Sequence, residues 1–306
     1  MMNPPALSGC IPIVCTPFHD DGRLDEASLR REVDYLISAG VHGLAALAIA
    51  SEGYKLNDAE RAQVVQIVIE AAGGRVPVVI AADHSGTDVA LERARAAAEA
   101  GADALMVLPP YFIKPDADNL YRYYQRLAQA VTIPLIVQDA PQLTGVTMSA
   151  AFLAQLNRDF PTISHAKLEG TPAGPKTSEV IRLTAGRMGL HAGWGGLSFW
   201  DGLQRGACGC MPAPNFAPAL AQVYNRYTTG QPDAALALFN RLVPFITWSM
   251  QSVDLSVWAA KETFRRMGIF GSAYQREPAA LPDDVTRGQF DAFMHSNENG
   301  AGHGMQ

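Results

Sequence analysis

Along the chain, two kinds of stretch take turns. Short, nearly continuous apolar runs rich in small and β-branched residues are followed by longer stretches in which apolar residues recur every three or four positions. The first kind suits strands buried on both faces of a parallel sheet, and the second suits the amphipathic helices that cover such a sheet. Residues 9–18 form the first strand run; Asp25 then caps a helix whose Leu29, Val33, Leu36 and Ile37 share one face, and Gly40 ends it. Further strands are predicted over 41–50, 76–83, 102–112, 134–141, 163–170, 188–193 and 206–212. Between them lie a helix opened by an Asn57–Glu60 capping-box pattern with Val64, Ile67 and Val68 inside, and helices over 89–100, 120–131, 150–158 and 178–185. A short helix through Trp200 and Leu203 and another over 218–227 complete the series.

Eight strand–helix pairs within roughly 220 residues fit an α/β fold of the (β/α)8 TIM barrel type better than an open doubly wound sheet. The open sheet is the alternative, but no Gly-x-Gly-x-x-Gly follows the first strand to mark a dinucleotide site. Beyond Gly230 the pattern becomes helical throughout, with amphipathic helices predicted over 234–248, 255–267 and 286–293. We therefore expect a barrel over residues 1–230 and a C-terminal helical domain over 231–306, its polar, glycine-rich end from Ser296 frayed.

Composition narrows the function classes. The 306 residues are 48% hydrophobic and 18% charged, an ordinary globular balance. A formal net charge of -6 with no Lys/Arg run argues against a nucleic-acid partner. No apolar run is long enough to span a bilayer, and residues 1–8 lack the charged-then-apolar plan of a signal peptide, so a cytoplasmic location is expected. Four cysteines are too few for a disulfide scaffold. Cys208 and Cys210 are one residue apart and Cys10 and Cys15 share another apolar stretch, but no histidine stands at zinc-finger spacing; buried thiols are expected there and no metal site.

In a barrel the chemistry sits at the C-terminal strand ends. Lys167 lies near the end of the sixth strand, in Ile163-Ser164-His165-Ala166-Lys167-Leu168-Glu169-Gly170. Lysine is depleted in strands and costly to bury. Desolvation lowers its pKa and leaves free amine able to attack a carbonyl and form a Schiff base. The structural alternative is a lysine that snorkels to the strand end and pairs with Glu169. The other strand ends carry Ala50, Ser51 and Glu52, then Tyr111, Gln138, Asp139, Trp194 and Met211. A lysine ringed by such mostly apolar and uncharged neighbours reads as catalytic. His165, two residues before Lys167, points to the same face but deeper, and reads as a core histidine. His191 and Trp194 fall near the far end of the pocket or serve packing.

At these residues the chain resembles the dihydrodipicolinate synthase / N-acetylneuraminate lyase family of class I aldolases, from the Thr16-Pro17-Phe18 opening to the C-terminal helices. The resemblance places the family's Schiff-base lysine on Lys167 and its Gly-Thr-Thr-Gly-Glu loop on Ala48, Ile49, Ala50, Ser51 and Glu52. The Leu56-Asn57-Asp58-Ala59-Glu60-Arg61 helix start, Pro110-Tyr111-Phe112, Gly193, Gly206 and Gly209 also fit. It implies that backbone N–H groups at Ala50 and Ser51 hold a 2-oxo acid carboxylate, that Met211 lines the pyruvate pocket, and that Glu52 buttresses its loop. It further implies a homotetramer, built as a dimer of dimers, with Tyr111 and Phe112 at the tight contact.

Several positions depart from the family. The strand-five Tyr-Asn-x-Pro falls on Gln138-Asp139-Ala140-Pro141, and glutamine cannot carry a proton as the family's catalytic tyrosine does. The threonine that orients that tyrosine falls on Ile49, the second relay tyrosine on Phe112, and the arginine that grips the aldehyde in dihydrodipicolinate synthase on Leu143. The expected function is thus a lyase, an aldolase or hydro-lyase, acting on pyruvate or a longer 2-oxo acid through Lys167, and not dihydrodipicolinate synthase proper. The imine is the electron sink, so no metal or organic cofactor is needed. Tyr111, its pKa lowered by Lys167, is the first candidate to move the proton, with Asp139, a water or the substrate carboxylate as alternatives; Gln138 is placed on a hydroxylated substrate. Two rivals remain: a non-catalytic barrel that binds a small acid, and an isomerase whose Gly193-Trp194-Gly195-Gly196 loop cradles a phosphate.

Overall fold

The computed structural model describes residues 7–300. Its eight strands are β1 (Gly9–Cys10), β2 (Leu44–Ala46), β3 (Val78–Ala81), β4 (Ala104–Val107), β5 (Leu135–Asp139), β6 (Ile163–Leu168), β7 (Gly189–Ala192) and β8 (Gly209–Cys210). They pair in parallel in the order β1-β8-β7-β6-β5-β4-β3-β2. The remaining seam closes through a parallel bridge from Ile13 to Ala45, where Val14 N–H donates to the Ala45 carbonyl at 2.7 Å and Ala45 N–H to that of Pro12 at 2.8 Å. The result is the (β/α)8 barrel that the alternation of runs implied. The strands are shorter than the apolar runs. The run over 41–50, for example, keeps strand geometry only at Leu44–Ala46 and then turns through a 3-10 turn at Ile49–Ser51. Apolar residues mark burial, and a buried mouth loop is as apolar as the strand that feeds it.

Nine helices follow the strands: α1 (Glu26–Ser38), α2 (Asp58–Ala72), α3 (Thr87–Glu99), α4 (Ala117–Ala130), α5 (Pro141–Thr144), α6 (Ala150–Asp159), α7 (Ala173–Thr184), α8 (Phe199–Arg205) and α9 (Ala217–Thr228). Asp25 accepts from Ser28 N–H to cap α1, and both halves of the Asn57–Glu60 capping box form at α2. The short α5 was not predicted; Pro141, with its fixed φ and no N–H to lose, starts it directly after β5.

The C-terminal extension comprises α10 (Pro232–Ser249), α11 (Val253–Arg266) and α12 (Asp284–Gly300). The end expected to fray lies beyond the described side chains: only the backbone of α12 is described over 296–300, and 301–306 lie outside the described residues. The extension grips the barrel mouth through α11. Lys261 is fully buried, donates to the Glu52 carboxylate and, at 2.9 Å, to the Tyr274 carbonyl. Glu52 also takes Lys55 Nζ at 3.0 Å and Arg276 N–H at 3.1 Å, and the Phe18 ring lies 4.4 Å from Lys261 Nζ. Burial pushes the Lys261 pKa down, and the Glu52 carboxylate opposes this. Glu52 is therefore a buttress of its loop. Lys261→Met would leave Glu52 buried with a reduced set of donors, and we expect it to lower stability by about 3 kcal/mol, read as a lower urea midpoint with unchanged slope. Among the described residues no helix is long and apolar enough to cross a membrane.

Candidate active site

The barrel register decides which side chains meet. Lys167 on β6 is paired with Gln138 on β5 and His191 on β7. Side chains of paired residues leave a sheet on the same side, so all three enter the barrel. Lys167 is buried, with Nζ 3.2 Å from Oε1 of Glu169. Glu169 stands one residue beyond β6 and is itself buried at 7% exposure. Its Oε2 accepts from Gln138 Nε2 at 2.8 Å, and its Oε1 accepts from Trp194 N–H at 3.1 Å. A Cβ on Gly193 would lie 2.2 Å from Glu169 Cγ, so only glycine there leaves room for the carboxylate. An ionised carboxylate can only accept, so Gln138 must turn its NH2 toward Glu169. Its Oε1 is left buried without a partner on the wall of the cavity.

That cavity is walled by Ala50, Lys167, Glu169, Trp194 and Met211 and roofed by Met250, Val253 and Ser256 of the C-terminal extension. Ala50 stands where the sequence placed it. Ser51 is buried behind it: its N–H donates to the Ala48 carbonyl at 3.0 Å and its hydroxyl to the Val14 carbonyl at 2.5 Å, while its own carbonyl accepts from Thr16 at 2.5 Å. Ser51 thus fixes the loop, and its side chain does not face the cavity. Met211 lines the cavity, with its N–H held by the Ala192 carbonyl at 2.9 Å. Backbone strain gathers at this mouth, with Leu47 (φ 63), Glu52 (φ 54) and Trp194 (φ 50) all in the left-handed region.

Two candidate side chains do not line the Lys167 cavity. Asp139, offered as a substrate contact, points out of the barrel lumen, alternate to Gln138. It is fully buried against Lys176 Nζ at 2.5 Å and accepts from Met148 N–H at 3.4 Å, clamping β5 to α7. Burial raises its pKa, with the Lys176 ammonium opposing. Tyr111 lines a neighbouring cavity with Arg61, Asp83 and Arg93, which shares Ile49, Leu143 and Val253 with the cavity of Lys167. Its pKa is raised, first by burial and then by the Asp83 carboxylate, where a lowering by Lys167 was expected. The phosphate-cradle reading also loses most of its donors. Trp194 N–H is spent on Glu169, and Gly196 and Leu197 N–H are bonded to the Gly193 and Trp194 carbonyls at 3.0 and 3.1 Å.

The residue that sequence reasoning passed over is Glu169, taken only as an ion-pair partner. The signal was present, since Glu169 follows Lys167 by two and the same rule that aimed His165 into the barrel aims Glu169 there as well. His165 itself is half satisfied: Nδ1 meets Ser164 Oγ at 2.8 Å and Nε2 has no partner. Burial holds both inward imidazoles neutral, His165 down to about 4 and His191 down to about 3, against a weaker upward pull from the Leu7 carbonyl.

Comparison with known proteins agrees with this fold. The model of the Dihydrodipicolinate synthetase family matches residues 6–296. L-2-keto-3-deoxyarabonate dehydratase of Azospirillum brasilense is 34% identical over 296 residues, 94% of each chain. A 4-hydroxy-tetrahydrodipicolinate synthase of Acidiphilium cryptum is 31% identical over 94% of this chain and 97% of its own. Among solved structures, dihydrodipicolinate synthase of Rhodopseudomonas palustris superposes with a TM-score of 0.89 at 27% identity, covering 96% of this chain and 98% of that one. YagE, a prophage protein of the same family from E. coli K12 solved in complex with pyruvate, gives 0.88 at 26% identity over 95% of this chain and 98% of that one. The chain belongs to the dihydrodipicolinate synthetase family of lyases.

Proposed function

We propose that this lyase is a dehydratase of a 2-oxo-3-deoxy sugar acid, working through a Schiff base on Lys167 with Glu169 as the proton carrier. The observation that carries the reading is the Glu169 carboxylate 3.2 Å from Lys167 Nζ. The relative named L-2-keto-3-deoxyarabonate dehydratase supports the substrate class. Lys167, its extra proton passed to Glu169, attacks the C2 carbonyl; the carbinolamine hydroxyl then takes that proton back from Glu169 and leaves as water, giving the protonated imine and a Glu169 carboxylate. Glu169 then removes a C3 proton, whose electron pair is drawn into the imine to form an enamine. Return of those electrons expels the C4 hydroxyl, which takes the proton from Glu169 and leaves as water. Hydrolysis of the conjugated imine frees product and Lys167. Gln138 holds the carboxylate in line, and its unpartnered Oε1 accepts from a substrate hydroxyl. The C1 carboxylate rests on the Ala50 turn beside Met211, as the family resemblance implies.

Mass spectrometry of reactions with L-2-keto-3-deoxyarabonate tests this reading. We expect a product one water lighter, formed at a rate on the order of ten per second. Condensation of pyruvate with aspartate semialdehyde should run at least about a hundredfold slower, because Gln138, Ile49 and Leu143 stand at the relay and arginine positions. Efficient condensation with no dehydration would reverse the assignment.

The family resemblance also supports a tetramer with the Tyr111–Phe112 loop at its tight-dimer contact. In the single chain Phe112 is 81% and Ile113 75% exposed, apolar area that suits an interface core. Light scattering at micromolar concentration should give four chains per particle, and Phe112→Asp should reduce that number; a monomer would refute the contact.

A further inference from the structure

Beneath Lys167 the barrel holds a second cluster that the lyase chemistry does not use. His165 lies two residues below Lys167 on β6, His191 is its register partner on β7, and Cys208 immediately precedes β8. One donor atom from each of the three lies within 4.8 Å of the other two. The rings of His165 and His191 are 5.7 Å apart between centroids, and Cys208 Sγ is 3.5 Å from His191 Nε2. The histidines are 2% and 1% exposed, yet His165 Nε2 and His191 Nδ1 find no hydrogen bond of normal geometry. A buried, unpartnered imidazole nitrogen costs about 1–3 kcal/mol, so His165 Nε2, which shares the space over Gly189 with Cys208 Sγ, marks a place that a further ligand would satisfy, while His191 meets the same thiol through Nε2.

The geometry points to a site for one borderline-soft divalent ion of the zinc class, bound by His165 Nε2, His191 Nε2 and Cys208 Sγ. Zinc–sulfur and zinc–nitrogen bonds of about 2.3 and 2.0–2.1 Å at a tetrahedral angle put sulfur and nitrogen about 3.5 Å apart. That is the spacing already present between Cys208 Sγ and His191 Nε2. His165 meets the further requirement that a ligating histidine anchor its other nitrogen, because Nδ1 is held by Ser164 Oγ at 2.8 Å. Room for the His165 ring comes from Gly189, where a Cβ would lie 2.3 Å from His165 Cδ2. Two imidazoles and a thiolate leave a fourth position open and favour zinc, cobalt or copper over magnesium or calcium. As the metal–sulfur bond forms, the thiol proton leaves to solvent, so each bound ion releases one proton. The spacing of cysteines and histidines along the sequence hides this set, because three separate strands supply it.

The test is cobalt(II) titration of the full-length protein, followed by competition with zinc(II). We expect one equivalent to give a near-ultraviolet thiolate-to-cobalt charge-transfer band with tetrahedral d–d bands, both erased by zinc. Cys208→Ser should abolish the charge-transfer band, and His165→Gln should weaken binding at least tenfold, while Cys210→Ser should keep the full spectrum. Circular dichroism of each variant confirms that it is folded, and His165→Gln decides the assignment if Cys208→Ser is not. Absence of the band in the wild-type protein overturns the site regardless of the variants. So does a band that survives Cys208→Ser, since the thiolate would then be another cysteine.

Discussion

Lys167→Ala is expected to abolish turnover and to abolish covalent trapping as well. Borohydride added to the wild-type protein with pyruvate or a longer 2-oxo acid should reduce the imine to a stable secondary amine. The chain should then gain the mass of one reduced adduct. The chain has five lysines, at 55, 114, 167, 176 and 261. Lys55 and Lys261 are committed to Glu52 and Lys176 to Asp139, and of the five only Lys167 lines the cavity beside Glu169. Peptide mapping should therefore find the adduct on Lys167 alone. Loss of a covalent nucleophile costs on the order of 10^4 to 10^6 in rate, because the barrier it divided returns whole. An adduct that persists in Lys167→Ala, or none with any of a panel of 2-oxo acids, would remove the covalent mechanism.

The fold and the place of Lys167 at its strand end were legible in the sequence for one reason: both depend on patterns within a single strand or helix. The periodicity of buried positions gave the order of strands and helices, and the rarity of lysine in a strand singled out Lys167. Caps at Asp25 and Asn57 are local as well, and formed as read. Contacts between strands were less legible. Asp139 looked like a mouth carboxylate until the fold brought Lys176 of α7 against it. Tyr111 looked like a neighbour of Lys167, but it lines an adjoining cavity with Arg61, Asp83 and Arg93, and no spacing rule foretells that division. Glu169 was the opposite case. Its position was readable, but its task was not, because a carboxylate beside a lysine is as often a structural ion pair as a proton carrier. What supports the proposed task is the company Glu169 keeps. Gln138 and the Trp194 amide hold it in place, and a glycine at 193 makes room for it.

Glu169→Gln should separate imine formation from the proton transfers that follow. The amide nearly matches the carboxylate in shape and can still accept from Trp194 N–H, but it has no proton to exchange. Lys167 should still be trapped by borohydride with pyruvate, while dehydration slows by about a hundredfold to ten-thousandfold, the usual worth of a positioned general acid–base. The loss should fall on kcat more than on KM, since the carboxylate acts on the C3 proton and the C4 oxygen in the transition state. A smaller structural cost is expected too. Gln138 Nε2 now donates to Glu169 Oε2 at 2.8 Å, and a donor NH2 in that place would face it, leaving one buried N–H unpaired at about 1–3 kcal/mol of stability. Urea unfolding reports that cost separately from the kinetics. Tyr111→Phe supplies the contrast, because its hydroxyl serves a different cavity and its removal should leave dehydration within a few-fold of wild type. If Glu169→Gln turns over normally and Tyr111→Phe is slow, the proton travels through the neighbouring cavity, and Glu169 is no more than the ion-pair partner of Lys167.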